Sequence, residues 1–277
     1  MLGVVPCRTN RTRVEGGPLG AALRLVPRGG LALRRELVPR RGVVAILGRQ
    51  PSVSGVENGS SQLDRLAEEI VACRACPRLV AWREGVAATR RASFRDQEYW
   101  GRPVAGFGDS RATIAVVGLA PAAHGANRTG RIFTGDRSGD WLFASMHRVG
   151  LANQASSTGL DDGLRLSGAW ICSAVRCAPP DNKPTPQERD RCLPFLSREL
   201  DALDSVKVVV ALGQFAYEVL ARLLAIRPRP RFGHGVEATS PDGTVVICSY
   251  HPSQQNTFTG RLTEPMLDSV FTRAIGL

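Results

Sequence analysis

Four cysteines have the spacing of a soft-metal site. Cys73-x₂-Cys76 is followed, after a gap of 100 residues, by Cys177-x₁₄-Cys192. Thiolates are strong ligands for zinc or for iron–sulfur clusters, and four of them suit either. A long gap rules out a local knuckle, so a shared metal would tie an N-terminal segment to the main fold. The alternative is four unrelated buried thiols. A second group of residues could break a bond. Asp136 in Thr134-Gly-Asp-Arg-Ser-Gly139 offers a carboxylate, His251 in Ser249-Tyr-His-Pro-Ser253 offers a ring donor, and Asn182 offers an amide. A carboxylate and a donor at opposite ends of a polarised bond stabilise separating charge.

These residues need a rigid frame. Apolar runs at Thr113–Gly118, Ala169–Ala174, Lys207–Leu212 and Thr244–Ser249 read as strands buried on both faces. Helical patterns over Ser138–Val149, Pro186–Leu203, Gln214–Ala225 and Glu264–Ile275 alternate with them. An α/β fold follows, with a four-stranded parallel sheet between helical layers. Sites in such sheets form outside the carboxyl ends of the strands, where Gly118–Asn127, Val175–Lys183 and Ser249–Asn256 lie. A preceding helix from about Ser61 delivers Cys73 and Cys76, and Pro77 reads as its stop. Ser138 is placed to cap the next helix.

The formal charge is +11 over 277 residues, yet residues 1–50 hold ten Arg against two Glu. The remainder therefore carries only +3, and bulk charge says little about the domain. Residues 1–58, rich in Arg, Gly and Pro, read as a disordered basic extension or an over-long start, and 59–277 as the folded domain. No apolar run has the length of a membrane span. An odd count of seven cysteines without a convincing secretory signal fits a reducing cytoplasm.

Cys73-Arg-Ala-Cys-Pro-Arg-Leu79, Thr134–Gly139, Val175-Arg-Cys-Ala-Pro-Pro180 and His251-Pro-Ser-Gln-Gln-Asn-Thr-Phe-Thr-Gly-Arg-Leu262 occur in order. Together they resemble the uracil-DNA glycosylase superfamily, most closely its iron–sulfur branch, family 5 or type B. The resemblance spans about Cys73 to Phe271. It implies a three-layer α/β/α sandwich and a [4Fe–4S] cluster on Cys73, Cys76, Cys177 and Cys192. It also implies excision of uracil, and of other deaminated bases such as hypoxanthine, at the start of base excision repair.

In that frame Asp136 positions water or stabilises the cationic sugar, His251 donates to the base oxygen, and Asn182 reads the base or positions water. Gly118, Ala120, His124, Asn127 and Phe133 would surround the flipped base, with Phe133 as a stacking face. Gln254, Gln255, Asn256, Arg261 and Leu262 would enter the DNA as a wedge. The loop Ala120-Pro-Ala-Ala lacks the acid or amide other branches carry there, and Cys172-Ser-Ala174 lacks a uracil-reading Asn, which implies a permissive pocket. Only two lysines occur, Lys183 and Lys207, so a monofunctional, Schiff-base-free mechanism is expected. The expected partner is damaged DNA, met by a cytoplasmic, nucleoid-associated monomer. The competing class is a non-catalytic iron–sulfur protein that binds nucleic acid or senses redox state.

Overall fold

The computed structural model describes residues 59–277. The expected basic extension, 1–58, lies outside the described residues.

Six strands form one sheet: β1 (Phe107–Gly108), β2 (Ile114–Gly118), β3 (Ala169–Ser173), β4 (Val208–Leu212), β5 (Glu237–Thr239) and β6 (Val245–Ser249), in the order β1-β3-β2-β4-β6-β5. The four central strands are the expected ones and run parallel. The expected count of four is corrected to six, because β1 and β5 add antiparallel edges to β3 and β6. These edges are two and three residues long, too short for an alternating pattern to stand out.

Period-two alternation divides the core between the sheet's two faces. Ile114, Val116, Val208, Val210 and Ile171 pack on one side, and Ala115, Val117, Val209, Ala211 and Cys172 on the other. Helices α4 (Arg137–Arg148) and α8 (Glu264–Ile275) cover the first face. Helices α1 (Gly59–Ala72), α5 (Pro186–Ala202) and α6 (Gln214–Leu223) cover the second. The result is the expected three-layer sandwich. α5 starts with a full capping box, in which the Thr185 hydroxyl accepts from Glu188 N and the Glu188 carboxylate accepts from Thr185 N.

Pro77 does not end the chain's helical run. It is the first residue of α2 (Pro77–Thr89), where a missing N–H costs nothing because the first turn has no acceptor for it. Two short α-helices also occur among the described residues: α3 (Ala126–Thr129) and α7 (Gln254–Phe258).

Candidate active site

Loops leaving β2, β3 and β6 close around a cavity of about 250 Å³. Leu119, Ala120 and Ala122 come from the first loop, with Ile132, Phe133, Asp136 and Ser138 from the segment leading into α4. Asn182 follows β3, while His251 and Ser253 follow β6. Three candidates separated by up to 115 positions, Asp136, Asn182 and His251, therefore line one cavity.

Asp136 is the N-cap of α4, and its Oδ1 accepts from Gly139 N at 3.1 Å. Ser138, expected as the cap, is the second residue of α4 and lines the cavity instead. Loss of hydration pushes the Asp136 carboxyl up, opposed by the Gly139 and Ser138 N–H groups. The positive end of α4 thus keeps a poorly hydrated acid available as an anion. Glycines make room for it: a Cβ on Gly125 would sit 2.1 Å from Asp136 Oδ2, and one on Gly139 would sit 1.7 Å from Phe133 O. Arg128 clamps the loops on either side, donating to His124 O and Gly135 O, both at 2.8 Å.

His251 is held by its backbone. Its carbonyl accepts from Asn256 Nδ2 at 2.9 Å, and Gly213, at φ +94, lies beneath its Cβ. Burial pushes the imidazole down to about 4, so the ring is neutral near pH 7, with one nitrogen a donor and the other an acceptor. Its ring lies 5.7 Å from that of Phe133, tilted by 33°. Phe133 sits at φ +55, a conformation costly for an aromatic residue and found where a site is over-determined by its surroundings. Gly118 permits it, since a Cβ there would lie 2.7 Å from the ring. Asp181 and Asn182 are also left-handed, at φ +52 and +55, and Asn182 lines both the cavity and the groove beside it.

Other expected positions fall elsewhere. His124 lines an adjoining groove and its Nδ1 lies 3.1 Å from the Tyr99 hydroxyl. Asn127 is not at the base. It is fully buried and donates to Arg83 O at 3.1 Å, bracing α3 against α2. Leu262 is not a surface wedge either. The chain turns inward after Gly260, and Leu262 is 0% exposed in the core beneath α8. The exposed apolar side chain of that segment is Phe258, at 67%, with the Arg137 guanidinium 4.5 Å over its ring. Gln254, Gln255 and Arg261 are exposed, and Arg261 lies over Tyr250. Asn256 serves His251 as described. The adjoining groove, about 560 Å³, shares Ala122, Asp136, Ser138 and Asn182 with the cavity and adds Trp82, Arg91, Phe94 and Arg137.

Behind this site Cys76, Cys177 and Cys192 are buried together with Leu79 and Val175, and Cys73 is partly exposed. All four thiols interact electrostatically with at least two of the others. Burial pushes Cys177 up to about 12 and raises Cys76 and Cys192. Among the described residues, no three His, Cys, Asp or Glu side chains close on a point as ligands of a metal ion.

The Uracil DNA glycosylase superfamily model matches residues 105–274, a span that holds the sheet and every cavity residue. The chain belongs to this superfamily. It is 53% identical to the type-5 uracil-DNA glycosylase of Mycobacterium bovis over 219 residues, 78% of this chain and 82% of that protein. It is 50% identical to the type-5 enzyme of Thermus thermophilus over 76% of this chain and 97% of the relative. Against the type-5 enzyme of Pyrobaculum aerophilum it is 45% identical, with 76% and 91% covered. The type-4 uracil-DNA glycosylase of Archaeoglobus fulgidus is more distant, 28% identical over 162 residues.

Sequence reasoning missed several members of this superfamily site. Ser253, Ile132 and Leu119 line the cavity but look like ordinary loop and core residues in the chain. Arg128 and Gly125, which position Asp136, give no signal beyond their place in the same loop.

Proposed function

We propose that this chain is a monofunctional uracil-DNA glycosylase of the type-5 kind, acting in DNA repair. The observation that carries it is the single cavity lined by Asp136, His251 and Phe133 in a chain of this superfamily. At about 250 Å³ the cavity lies at the small end of ligand pockets, which suits one nucleobase and excludes a duplex. The base must therefore leave the stack to enter it.

Hydrolysis breaks the bond between C1′ and the base nitrogen. The electron pair departs with the base, a water oxygen bonds to C1′, and the proton that the water sheds ends on the departing base. Asp136 faces the sugar end, where its anion stabilises the developing cation and orients the water. Neutral His251 donates an N–H to the base carbonyl as negative charge gathers there. Asn182 stands at the mouth, beside the water path. The groove with Trp82, Arg91 and Phe94 takes the flanking strand, and Phe258 beside Arg137 stands where a wedge would fill the vacated stack. The competing view of a non-catalytic nucleic-acid binder leaves this cavity without a purpose.

The walls are mostly apolar, and Ser173, at the end of β3, spends its hydroxyl on Val175 O at 2.9 Å. A pocket with few fixed polar contacts tolerates several bases, so hypoxanthine is a second substrate. The four cysteines hold a [4Fe–4S] cluster that, when bound, ties the α1–α2 corner to the β3 loop and α5. Soft thiolate donors suit it, and the unpartnered N–H groups of two buried arginines beside them, Arg83 and Arg176, fit an anionic group. The protein works as a monomer in the cytoplasm. Free uracil released from a uracil-bearing duplex, leaving an abasic site, tests the activity; no release by anaerobically purified protein refutes it. Iron and sulfide analysis tests the cluster, and stoichiometric zinc without sulfide refutes it.

A further inference from the structure

Two arginines beside the four thiols are among the most deeply buried side chains of the molecule. Arg83, in the middle of α2, is 1% exposed. Its Nη1 donates to Cys177 Sγ at 3.3 Å and to Cys73 O at 3.4 Å, so one guanidinium bridges the two halves of the thiol group. Its Nε has no partner among the described residues. The nearest carboxylate, Glu84, is 3.4 Å away, 43% exposed, and already engaged by Arg74 at 2.5 Å. Arg176, the residue before Cys177, is also 1% exposed and pairs with buried Glu199, yet its Nε and Nη1 are left without partners. Arg191, beside Cys192, donates to Ala75 O at 3.0 Å and interacts with the Cys76 thiol.

A guanidinium stays charged in a protein, and burying one is strongly unfavourable unless enough negative charge faces it; Glu84, exposed and shared with Arg74, supplies only part of that charge to Arg83. Neutral thiols do not supply that counter-charge. Four thiolates on an iron–sulfur core do, because the assembly is formally dianionic. Set beside Glu199, that dianion is balanced by the three guanidinium groups of Arg83, Arg176 and Arg191.

We propose that Arg83 is the fixed counter-charge of the four-thiol centre, donating to its sulfur face and setting how tightly the cluster is held, with Arg176 as its partner on the α5 side. The assignment rests on the cluster reading above. Arg83 is a positioning residue, and the cluster itself gives the readout.

The test uses full-length protein purified anaerobically, comparing wild type with Arg83→Gln and Arg83→Lys. Iron loss to a chelator is followed by the decay of absorbance near ~400 nm, and the midpoint potential by titration. Arg83→Gln is expected to lose iron at least tenfold faster, with a more negative midpoint because the reduced, more anionic cluster loses a cation. Arg83→Lys restores most of both. Iron loss within twofold of wild type and an unmoved midpoint in Arg83→Gln overturn the assignment. If Arg83→Gln does not fold, Glu84→Gln serves: removing the exposed carboxylate that competes for Arg83 should raise the midpoint, and an unchanged value overturns the proposal. Wild-type protein lacking iron and sulfide takes down the cluster and the counter-charge role together. A loaded wild type with an indifferent Arg83→Gln takes down only the latter.

Discussion

The base cavity and the thiol group behind it are built from the same sheet and shaped by the same force, yet burial does different work in each. In the cavity, loss of water pushes Asp136 up and His251 down to about 4, and both groups stay available to a substrate. Around the thiols, loss of water pushes Cys177 up to about 12, and N–H groups of the neighbouring Arg83 and Arg176 find no partner among the described residues. One region is poised to act on a transient charge. The other, on the cluster proposal, would be completed by a permanent one. Desolvation alone therefore does not mark a catalytic residue; what the neighbours leave unsatisfied does.

The sharpest test separates chemistry from stability at Asp136. Asp136→Asn keeps the N-cap acceptor but removes the charge. Single-turnover uracil release should fall on the order of 10²–10³-fold. Because the folded-state pKa is raised, the ionised form weakens the fold near neutral pH. The same variant should then gain on the order of 1 kcal/mol, about 2–4 °C in melting temperature for a chain of this size. Near-wild-type excision would assign Asp136 to capping alone and move the water-positioning role to Asn182. His251→Ala should cost on the order of 10²-fold in the same assay, with duplex binding largely kept.

Gly125→Ala places a methyl group 2.1 Å from Asp136 Oδ2 and displaces the carboxylate without altering its charge. A loss of roughly tenfold or more is expected, in line with the sensitivity of catalysis to small misplacements. An unaffected rate would mean that the carboxylate's position is not critical.

The sheet was legible because its four central strands are short, continuous apolar runs, and the three cavity residues Asp136, Asn182 and His251 because each lies in a polar segment between one of those strands and the next element of regular packing. Other positions were not. Pro77 stops a helix or starts one according to whether its N–H would be needed, and spacing alone does not say which. Leu262 shares its segment with exposed amides, and only the inward turn at Gly260 reveals that it belongs to the core. Asn127 lies in a loop rich in site residues, but its amide is spent on a backbone carbonyl of α2. Arg83 was hidden in an arginine-rich chain, where no composition signal separates a buried guanidinium from a solvated one.

Protonation offers a milder test. His251 has a folded-state pKa near 4 against an ordinary value of 6.5, so the unfolded chain binds its proton first. Its contribution to stability is complete above pH 6.5 and drains away as pH falls toward 4. Denaturant titrations should show this slope in the wild type and a flatter one in His251→Gln. Equal slopes would mean that the ring is not desolvated. The smallest effect belongs to Phe258→Ala, which should leave folding within about 0.5 kcal/mol and weaken binding to uracil-bearing duplex by a few-fold. Unchanged binding would remove Phe258 from the DNA interface.

One side chain answers to two selections. Position 136 begins α4, and a helix accepts a short alphabet there: Asp, Asn, Ser or Thr. With Asp136 as the acid proposed for the reaction, the breaking bond would accept a single letter of it. A library randomised at this codon, sorted first for soluble folded protein and then for base release, should pass through two sieves of unequal mesh. Chains recovered between them would be well-built proteins that have lost their trade. Loss of activity in this lineage can therefore be silent to folding, and a stable descendant need not be a working one.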